Sequence, residues 1–149
     1  MITAGNKEIK MLLPLLKRPF KLTVTGNSMS PILQDGEIIE IQPDQKTYKK
    51  GDIVVFYYKE DSLIVHRILK VINGRYYCKG DNSFRIEDVL YDWIIGKVNL
   101  KKDPNKTDEF IIDSLKINEI FRQNGYNINK TKNTKEYKHY KDKYLKKYN

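Results

Sequence analysis

The sequence predicts a mainly β protein with a sandwich or barrel-like body, a short helix before it and a helical region after it. From Phe20 to about Val98, short runs rich in β-branched and aromatic residues alternate with Gly, Asp and Asn turn residues. Beyond Pro104 the apolar residues take the spacing of an amphipathic helix. A length of 149 residues, 40% of them hydrophobic, is enough for one domain with a packed core.

Six runs in the central region are interpreted as strands. Each has the alternation or the β-branched content typical of a strand and is bounded by turn residues. The runs are Lys21–Thr25, Glu37–Ile41, Asp52–Tyr58, Leu63–Ile72, Arg75–Lys79 and Trp93–Leu100. Asn73-Gly74 favours a tight hairpin turn, and Gly96 inside the last run indicates a bulge or a close backbone approach.

Helices are expected at both ends of the chain. Lys7–Leu16 suits a short helix that Pro19 would end. Thr107–Arg122 predicts an amphipathic helix that ends at Asn124-Gly125. Its apolar positions are Phe110, Ile111, Leu115, Ile117, Ile120 and Phe121. After it, a tail rich in Lys and Tyr is expected to form another helix or none, with its tyrosines able to pack a helix onto the body.

These patterns divide the chain into three parts. Residues 1–19 form a short helical segment, residues 20–102 a β-rich core, and residues 103–149 a helix with a basic tail. The net charge of +9 is concentrated in that tail, where eight Lys between Lys130 and Asn149 face only Glu136 and Asp142. A basic tail on a nearly neutral body does not favour a nucleic-acid partner; it suits a solvated helix or contact with an anionic membrane surface.

Several classes of protein are disfavoured by composition. Cys78 is the single cysteine, so no intramolecular disulfide forms, and two histidines, His66 and His139, make a histidine-based metal site a poor hypothesis. No metal or cofactor is therefore expected. The apolar patch Met11–Leu16 is far shorter than the ~18 residues of a membrane span. The expectation is a soluble cytoplasmic protein that associates with membranes peripherally, if at all.

Three polar stretches stand between or within the predicted strands. Gly26–Pro31 presents Ser28 after a strand. Val65–Arg67 places His66 within an apolar strand, and Lys79–Ser83 contains Gly-Asp-Asn after the hairpin. Taken singly, these stretches are more typical of a turn serine, a half-buried histidine and an ordinary turn.

Taken together, the three stretches contain the parts of a nucleophilic site. A serine hydroxyl is a weak nucleophile until a base takes its proton, and imidazole suits that task near neutral pH. A glycine near the serine lets backbone N–H groups face an oxyanion, where such donors are worth about 10²–10³ in rate. A carboxylate next to the imidazole would fix its tautomer and stabilise its cation.

Six sequence blocks follow one another in order along the core. They are Gly26–Pro31, Asp35–Glu37, Lys50–Phe56, Val65–Ile68, Lys79–Asn82 and Ile95–Val98. This series resembles the serine peptidase superfamily that contains type I signal peptidases and the self-cleaving domains of SOS-response repressors, over about Leu22 to Leu100. The resemblance implies a mainly β fold whose body consists of coiled antiparallel β-sheets.

The resemblance also implies roles for individual residues. Ser28 matches the nucleophile that precedes Met, and His66 matches the general base of the histidine-bearing branch, where other branches have lysine. Asp81 matches the aspartate of the Gly-Asp-Asn block and would assist the base directly or by ordering the site. Asp88 is the alternative acid.

The loop around Ser28 is expected to supply the remaining parts of the site. The backbone N–H of Ser28 would form the oxyanion hole, with assistance from Asn27. Met29 and Pro31 would shape the loop and contact the substrate.

The function that follows from the resemblance is a serine endopeptidase that cleaves a leader, signal or propeptide. The alternative is a catalytically inactive relative that acts as a peptide-binding or assembly module. Nucleic-acid binding through the tail is the least favoured hypothesis, since the tail lacks a helix-turn-helix or zinc-finger pattern.

Overall fold

The computed structural model describes residues 2–3, 17–43, 46–59 and 62–146. Within these ranges the strands come first along the chain and the longer helices come last. The predicted helix Lys7–Leu16 lies outside the described residues.

In the described part of the chain, eight strands form one antiparallel sheet in the order β1-β2-β3-β8-β4-β5-β6-β7. Their bounds are β1 Ile2–Thr3, β2 Phe20–Val24, β3 Ile38–Gln42, β4 Ile53–Tyr58, β5 Ser62–Ile72, β6 Arg75–Lys79, β7 Ile86–Leu90 and β8 Ile94–Val98. A short 3₁₀ turn, Tyr91–Trp93, joins the last two strands. The mainly β fold class is confirmed.

The six predicted strands are present with small shifts at their ends. The hairpin between β5 and β6 turns at Asn73 (φ 49°) and Gly74 (φ 76°), the left-handed pair that a two-residue type I′ turn requires. The expected close approach at Gly96 is also confirmed, because a Cβ there would lie 2.5 Å from Ile41 Cγ2. The strands β1 and β7 were not predicted.

The centre of the sheet is buried on both faces. On β4, Ile53 and Val55 pack on one face, and Val54 and Phe56 pack on the other. Alternate residues of a strand point to opposite faces, so a run that is apolar at every position needs cover on both sides. Burial of each such side chain contributes about 1.5–3 kcal/mol.

The strand β5 connects the two halves of the sheet. Residues 62–67 pair with β4, whereas residues 67–72 pair with β6, with a register irregularity between Ile68 and Lys70. His66 and Arg67 therefore lie at the point where the strand changes partners. Their side chains leave the strand on opposite faces.

The helices follow the sheet. They are α1 Asp108–Gln123, α2 Ile128–Lys132 and α3 Lys135–Tyr140, which continues into the π-helical turn Lys141–Leu145. The predicted helix Thr107–Arg122 is confirmed: Thr107 caps α1 by accepting a 3.1 Å hydrogen bond from the Phe110 backbone N–H. None of the described helices is long and apolar enough to cross a membrane.

We call Asp108–Leu145 the helical cap, because its apolar side covers part of the sheet. Leu69 of β5 packs in one cluster with Phe110, Ile111 and Ile117 of α1 and with Tyr137, Tyr140 and Tyr144. The expected packing of tail tyrosines onto the body is thus observed for these three. The lysines at positions 132, 135, 138, 141, 143 and 146 are exposed to solvent.

Candidate active site

A tight loop between β2 and β3 presents Ser28. Gly26 begins the loop at φ 89°, a left-handed conformation that favours glycine, and its N–H donates a 2.7 Å hydrogen bond to Asp35 Oδ1. The Leu33 N–H donates to the Met29 carbonyl at 3.0 Å, which closes a helical turn behind the serine. The side chain of Ser28 is partly exposed at the surface of this turn.

The structure brings Ser28 and His66 together. His66 Nε2 lies 3.1 Å from Ser28 Oγ, although the two residues are 38 positions apart in the chain. His66 is buried, and its imidazole meets the Phe56 ring edge to face. A serine hydroxyl and an imidazole at this distance are within direct proton-transfer reach.

The other nitrogen of the imidazole is held by Glu87, a residue that the sequence analysis did not single out. His66 Nδ1 lies 2.5 Å from Glu87 Oε1, and both side chains are almost buried. The pairing of β5, β6 and β7 explains the contact. Ile68, Cys78 and Glu87 lie opposite one another across the three strands, and His66 is two residues before Ile68 on the same face.

This arrangement selects one tautomer. When the Glu87 carboxylate accepts a hydrogen bond from Nδ1, that nitrogen carries the proton of the neutral ring. Nε2 then has a free lone pair that accepts the hydroxyl hydrogen of Ser28. Ser28, His66 and Glu87 thus form the same linear order as the serine, histidine and acid of a catalytic triad.

Asp81, expected to assist the base, does not contact the imidazole. Its Oδ1 accepts from Arg67 Nε and its Oδ2 from Arg67 Nη2, each at 2.9 Å, and Oδ2 also accepts from Asn105 at 3.1 Å. Arg67 follows His66 on β5 and points to the opposite face, so its partner Asp81 lies across the sheet from His66. The expected direct assistance by Asp81 is wrong; a role in ordering the site stays a prediction.

Asp88, the alternative acid, is also placed away from the histidine. It accepts a 2.8 Å hydrogen bond from Arg75 Nε near the surface. Asp88 follows Glu87 on β7, and the alternation of the strand sends its side chain to the other face. The expectation of Asp88 as the acid is wrong for the same geometric reason.

Gly80 lies where the backbone passes close to both the serine and the histidine, with no room for a side chain. A Cβ at this position would lie 2.5 Å from the Ser28 carbonyl oxygen and 2.9 Å from His66 Nε2. Any side chain would therefore push the two apart. The next residues brace the serine loop, because Asn82 donates from its N–H to the Ser28 carbonyl at 2.8 Å and from Nδ2 to the Asn27 carbonyl at 3.2 Å.

The loop residues differ in what they can offer to a substrate. Within the described ranges the backbone N–H of Ser28 has no acceptor, so it is free to stabilise an oxyanion, and the neighbouring Asn27 side chain is exposed.

Met29 is 1% exposed and belongs to the core, so the expected substrate contact by Met29 is wrong; its side chain supports the loop from below. Pro31 lines an open surface cavity with Ile32 and Pro104, and its substrate contact stays a prediction.

The chain belongs to the Peptidase S24-like family, whose model matches residues 6–98. Ser28, His66 and Glu87 lie within this range, which ends before the helical cap begins. No curated protein matches the chain. The suspected superfamily is confirmed, and the chain is a peptidase-like protein with the mainly β fold of that family.

Proposed function

We propose that the protein is a serine endopeptidase in which Ser28 is the nucleophile, His66 the general base and Glu87 the acid that orients it. One observation carries the proposal: the unbroken chain of contacts from Ser28 Oγ through the imidazole to the Glu87 carboxylate. An inactive relative has no physical reason to keep a buried carboxylate and imidazole aligned on a surface hydroxyl, because burying such polar groups costs free energy.

The chemistry follows from the positions of these groups. His66 Nε2 takes the hydroxyl proton while Ser28 Oγ forms a bond to the scissile carbonyl carbon, and the carbonyl electrons move to the oxygen. The Ser28 N–H stabilises that oxyanion. The C–N bond then breaks, and the imidazolium returns the proton to the departing amine. A water molecule, deprotonated by the same imidazole, hydrolyses the acyl-serine and restores the hydroxyl.

Glu87 stabilises the imidazolium form of His66, which arises once during acylation and once during deacylation. Its side chain is 12% exposed and that of His66 is 9% exposed, so the ion pair that forms during attack is shielded from water. Electrostatic stabilisation is stronger in such a site than at an open surface. The carboxylate also keeps the ring from rotating away from Ser28.

The proposed substrate is an extended segment of a protein or peptide: a leader, a signal sequence or a propeptide. Family membership supports a peptide or protein substrate, and the partly exposed Ser28 can be reached by an extended chain. Asp81 would order the site from the opposite face of the sheet, through Arg67. The exposed lysines of the helical cap support the further proposal that the solvent-facing side of the cap contacts an anionic membrane surface.

A fluorophosphonate probe tests the proposal without a known substrate. Attack by Ser28 forms an O–P bond and expels fluoride, while His66 takes the proton. We expect one adduct per chain, mapped to Ser28 by mass spectrometry of the digested protein. Ser28→Ala and His66→Gln should each reduce labelling at least about 10³-fold, since the nucleophile and its base act together and neither works without the other.

The matched control is Ser30→Ala, in the same loop. Ser30 Oγ donates to Gln34 Oε1 at 3.4 Å, and among the described residues it has no hydrogen bond to Ser28 or His66. Its loss should leave labelling unchanged. A folded wild-type protein that resists the probe at Ser28, or that reacts equally well in the His66 variant, would favour the peptide-binding or assembly module instead.

A further inference from the structure

The segment Gly80–Asn82 stands between the candidate active site and the helical cap. On its active-site side, Gly80 packs directly against the Ser28 carbonyl and His66 Nε2. Asn82 donates hydrogen bonds to the carbonyls of Asn27 and Ser28. The position of this segment therefore decides the position of the serine loop relative to the imidazole.

On its other side, the segment is held by Tyr140 of α3. The Tyr140 hydroxyl donates a 2.7 Å hydrogen bond to the Asp81 carbonyl oxygen, and the side chain is almost completely buried. Tyr140 comes from the helical cap, which lies beyond residues 6–98 of the family match. The contact thus connects a part of the chain outside the family match to the centre of the candidate site.

Neighbouring side chains hold the ring of Tyr140 in place. Lys79 Nζ lies 5.4 Å from the centre of the Tyr140 ring and donates to Ser114 Oγ at 2.8 Å. The ring also packs against Phe110 and Tyr144. The contacts with Lys79, Phe110 and Tyr144 involve the ring, so removing the oxygen alone leaves them intact. The one further contact that is lost with the oxygen is a long hydrogen bond of 3.5 Å to Ser114 Oγ.

The three polar groups of Asp81 are held by different partners. Its carboxylate is bound by Arg67 and Asn105, whereas its carbonyl accepts from Tyr140. Its N–H points to Met29 Sδ at 3.4 Å, within the serine loop. The peptide unit that follows Asp81 is held at both ends, since its carbonyl accepts from Tyr140 and its N–H, from Asn82, donates to the Ser28 carbonyl. Loss of the Tyr140 hydroxyl would remove the first of these two restraints while the Arg67 ion pair keeps the fold.

We propose that Tyr140 is a positioning residue of the candidate active site: its hydroxyl holds the Asp81 carbonyl and thereby sets Gly80–Asn82 against Ser28 and His66. This inference rests on the proposed peptidase function. Small displacements matter in such a site, because proton transfer and nucleophilic attack depend on alignment within about 1 Å.

The test compares Tyr140→Phe with Tyr144→Phe in the full chain. Both variants lose one tyrosine hydroxyl of the helical cap, but the Tyr144 hydroxyl donates to Asp113 of α1 and not to the loop. The readout is the two-step kinetics of the fluorophosphonate probe. Tyr140→Phe should lower the maximal rate of modification about three- to tenfold, the worth of one hydrogen bond, with an unchanged half-saturating concentration. Tyr144→Phe should leave both constants as in the wild type.

A second readout does not depend on activity. In a His139→Gln background, His66 is the single histidine, so its imidazole ¹⁵N resonances are assigned without ambiguity. Tyr140→Phe should shift the Nε2 resonance that reports the contact with Ser28, and Tyr144→Phe should not.

The outcomes separate the two proposals. An unreactive wild-type Ser28 refutes the peptidase function, and the imidazole spectrum then decides alone whether Tyr140 positions His66. Tyr140 is not a positioning residue if its variant reacts at the wild-type rate with an unchanged spectrum. Equal slowing in the Tyr144 variant would show general softening of the cap, which also overturns the inference.

Discussion

His66 and Arg67 are neighbours on β5, and their side chains enter opposite faces of the sheet. Each carries a nitrogen-rich group paired with an acid from a later part of the chain. On the Arg67 side the network is closed: Asp81, Asp103 and the Gly51 carbonyl accept hydrogen bonds of 2.8–2.9 Å, and the guanidinium is 0% exposed.

On the His66 side the network is open at one end. The imidazole is held by Glu87, but its other nitrogen points to the partly exposed Ser28 hydroxyl. A closed network stabilises the fold, whereas an open one keeps a reactive group available. If His66 acts as proposed, consecutive residues of one strand serve structure on one face and chemistry on the other.

The largest expected effect is on the open side. Glu87→Gln keeps the size of the side chain but removes the charge that stabilises the imidazolium, and it favours the wrong tautomer. The rate of Ser28 modification by the fluorophosphonate should fall by about 10²–10⁴. The midpoint of urea unfolding should change little, because the amide still fits the space.

Asp88→Asn is the control for the glutamate variant. Asp88 is the next residue on β7 but pairs with Arg75 near the surface. The rate of Ser28 modification in the Asp88→Asn variant should equal that in the wild type. A slow Asp88 variant together with a fast Glu87 variant would reverse the assignment of the acid.

The next effect is on the closed side. Burial alone would lower the pKa of Arg67, but Asp81 and Asp103 raise it above its ordinary value, so the guanidinium is charged in the folded protein. Arg67→Met leaves two acids without their cation and should cost about 3–5 kcal/mol in the free energy of unfolding. Urea unfolding monitored by the fluorescence of Trp93 measures this loss.

His66→Gln is the matched variant on the open face, and it should cost less than about 2 kcal/mol. An equal loss of stability in both variants would contradict the division between a structural face and a chemical face.

The smallest effect concerns Lys79, on the Arg67 side of the sheet. Burial lowers its pKa to about 7, against the smaller opposing influence of Asp81 and Glu87. Between pH 7 and 10 the unfolded chain therefore binds a proton at Lys79 that the folded chain has released. Stability rises with pH in this window and is lost as the pH falls toward 7. We expect an increase of about 1–3 kcal/mol from pH 7 to 9.

Lys79→Met should remove that slope. Cys78, whose pKa is raised by burial, contributes in the opposite direction near pH 9, but it does so equally in both proteins. The difference between their free energies of unfolding at each pH therefore isolates Lys79. A difference that stays constant from pH 7 to 9 would show that Lys79 remains charged in the fold.

The sequence alone determined most of the local structure. Alternation and turn residues located six strands, because side-chain burial on a sheet imposes a period of two. The Asn73-Gly74 turn and the Thr107 cap follow from backbone geometry that few other residues satisfy. The proposed nucleophile and the proposed base were located by motif, since both stand in short sequence blocks that a resemblance can carry.

Only the tertiary structure decided which acid meets His66. The strand β7 was missed because Glu87 and Asp88 make it atypical in composition, and acidic residues are depleted in strands. Whether Asp81 or Glu87 reaches the imidazole depends on the register of β5, β6 and β7, which brings together residues 21 positions apart. Motif order along a chain contains no information about which face of a sheet a side chain occupies. That choice is made by strand pairing, and a shift of one residue would reverse it.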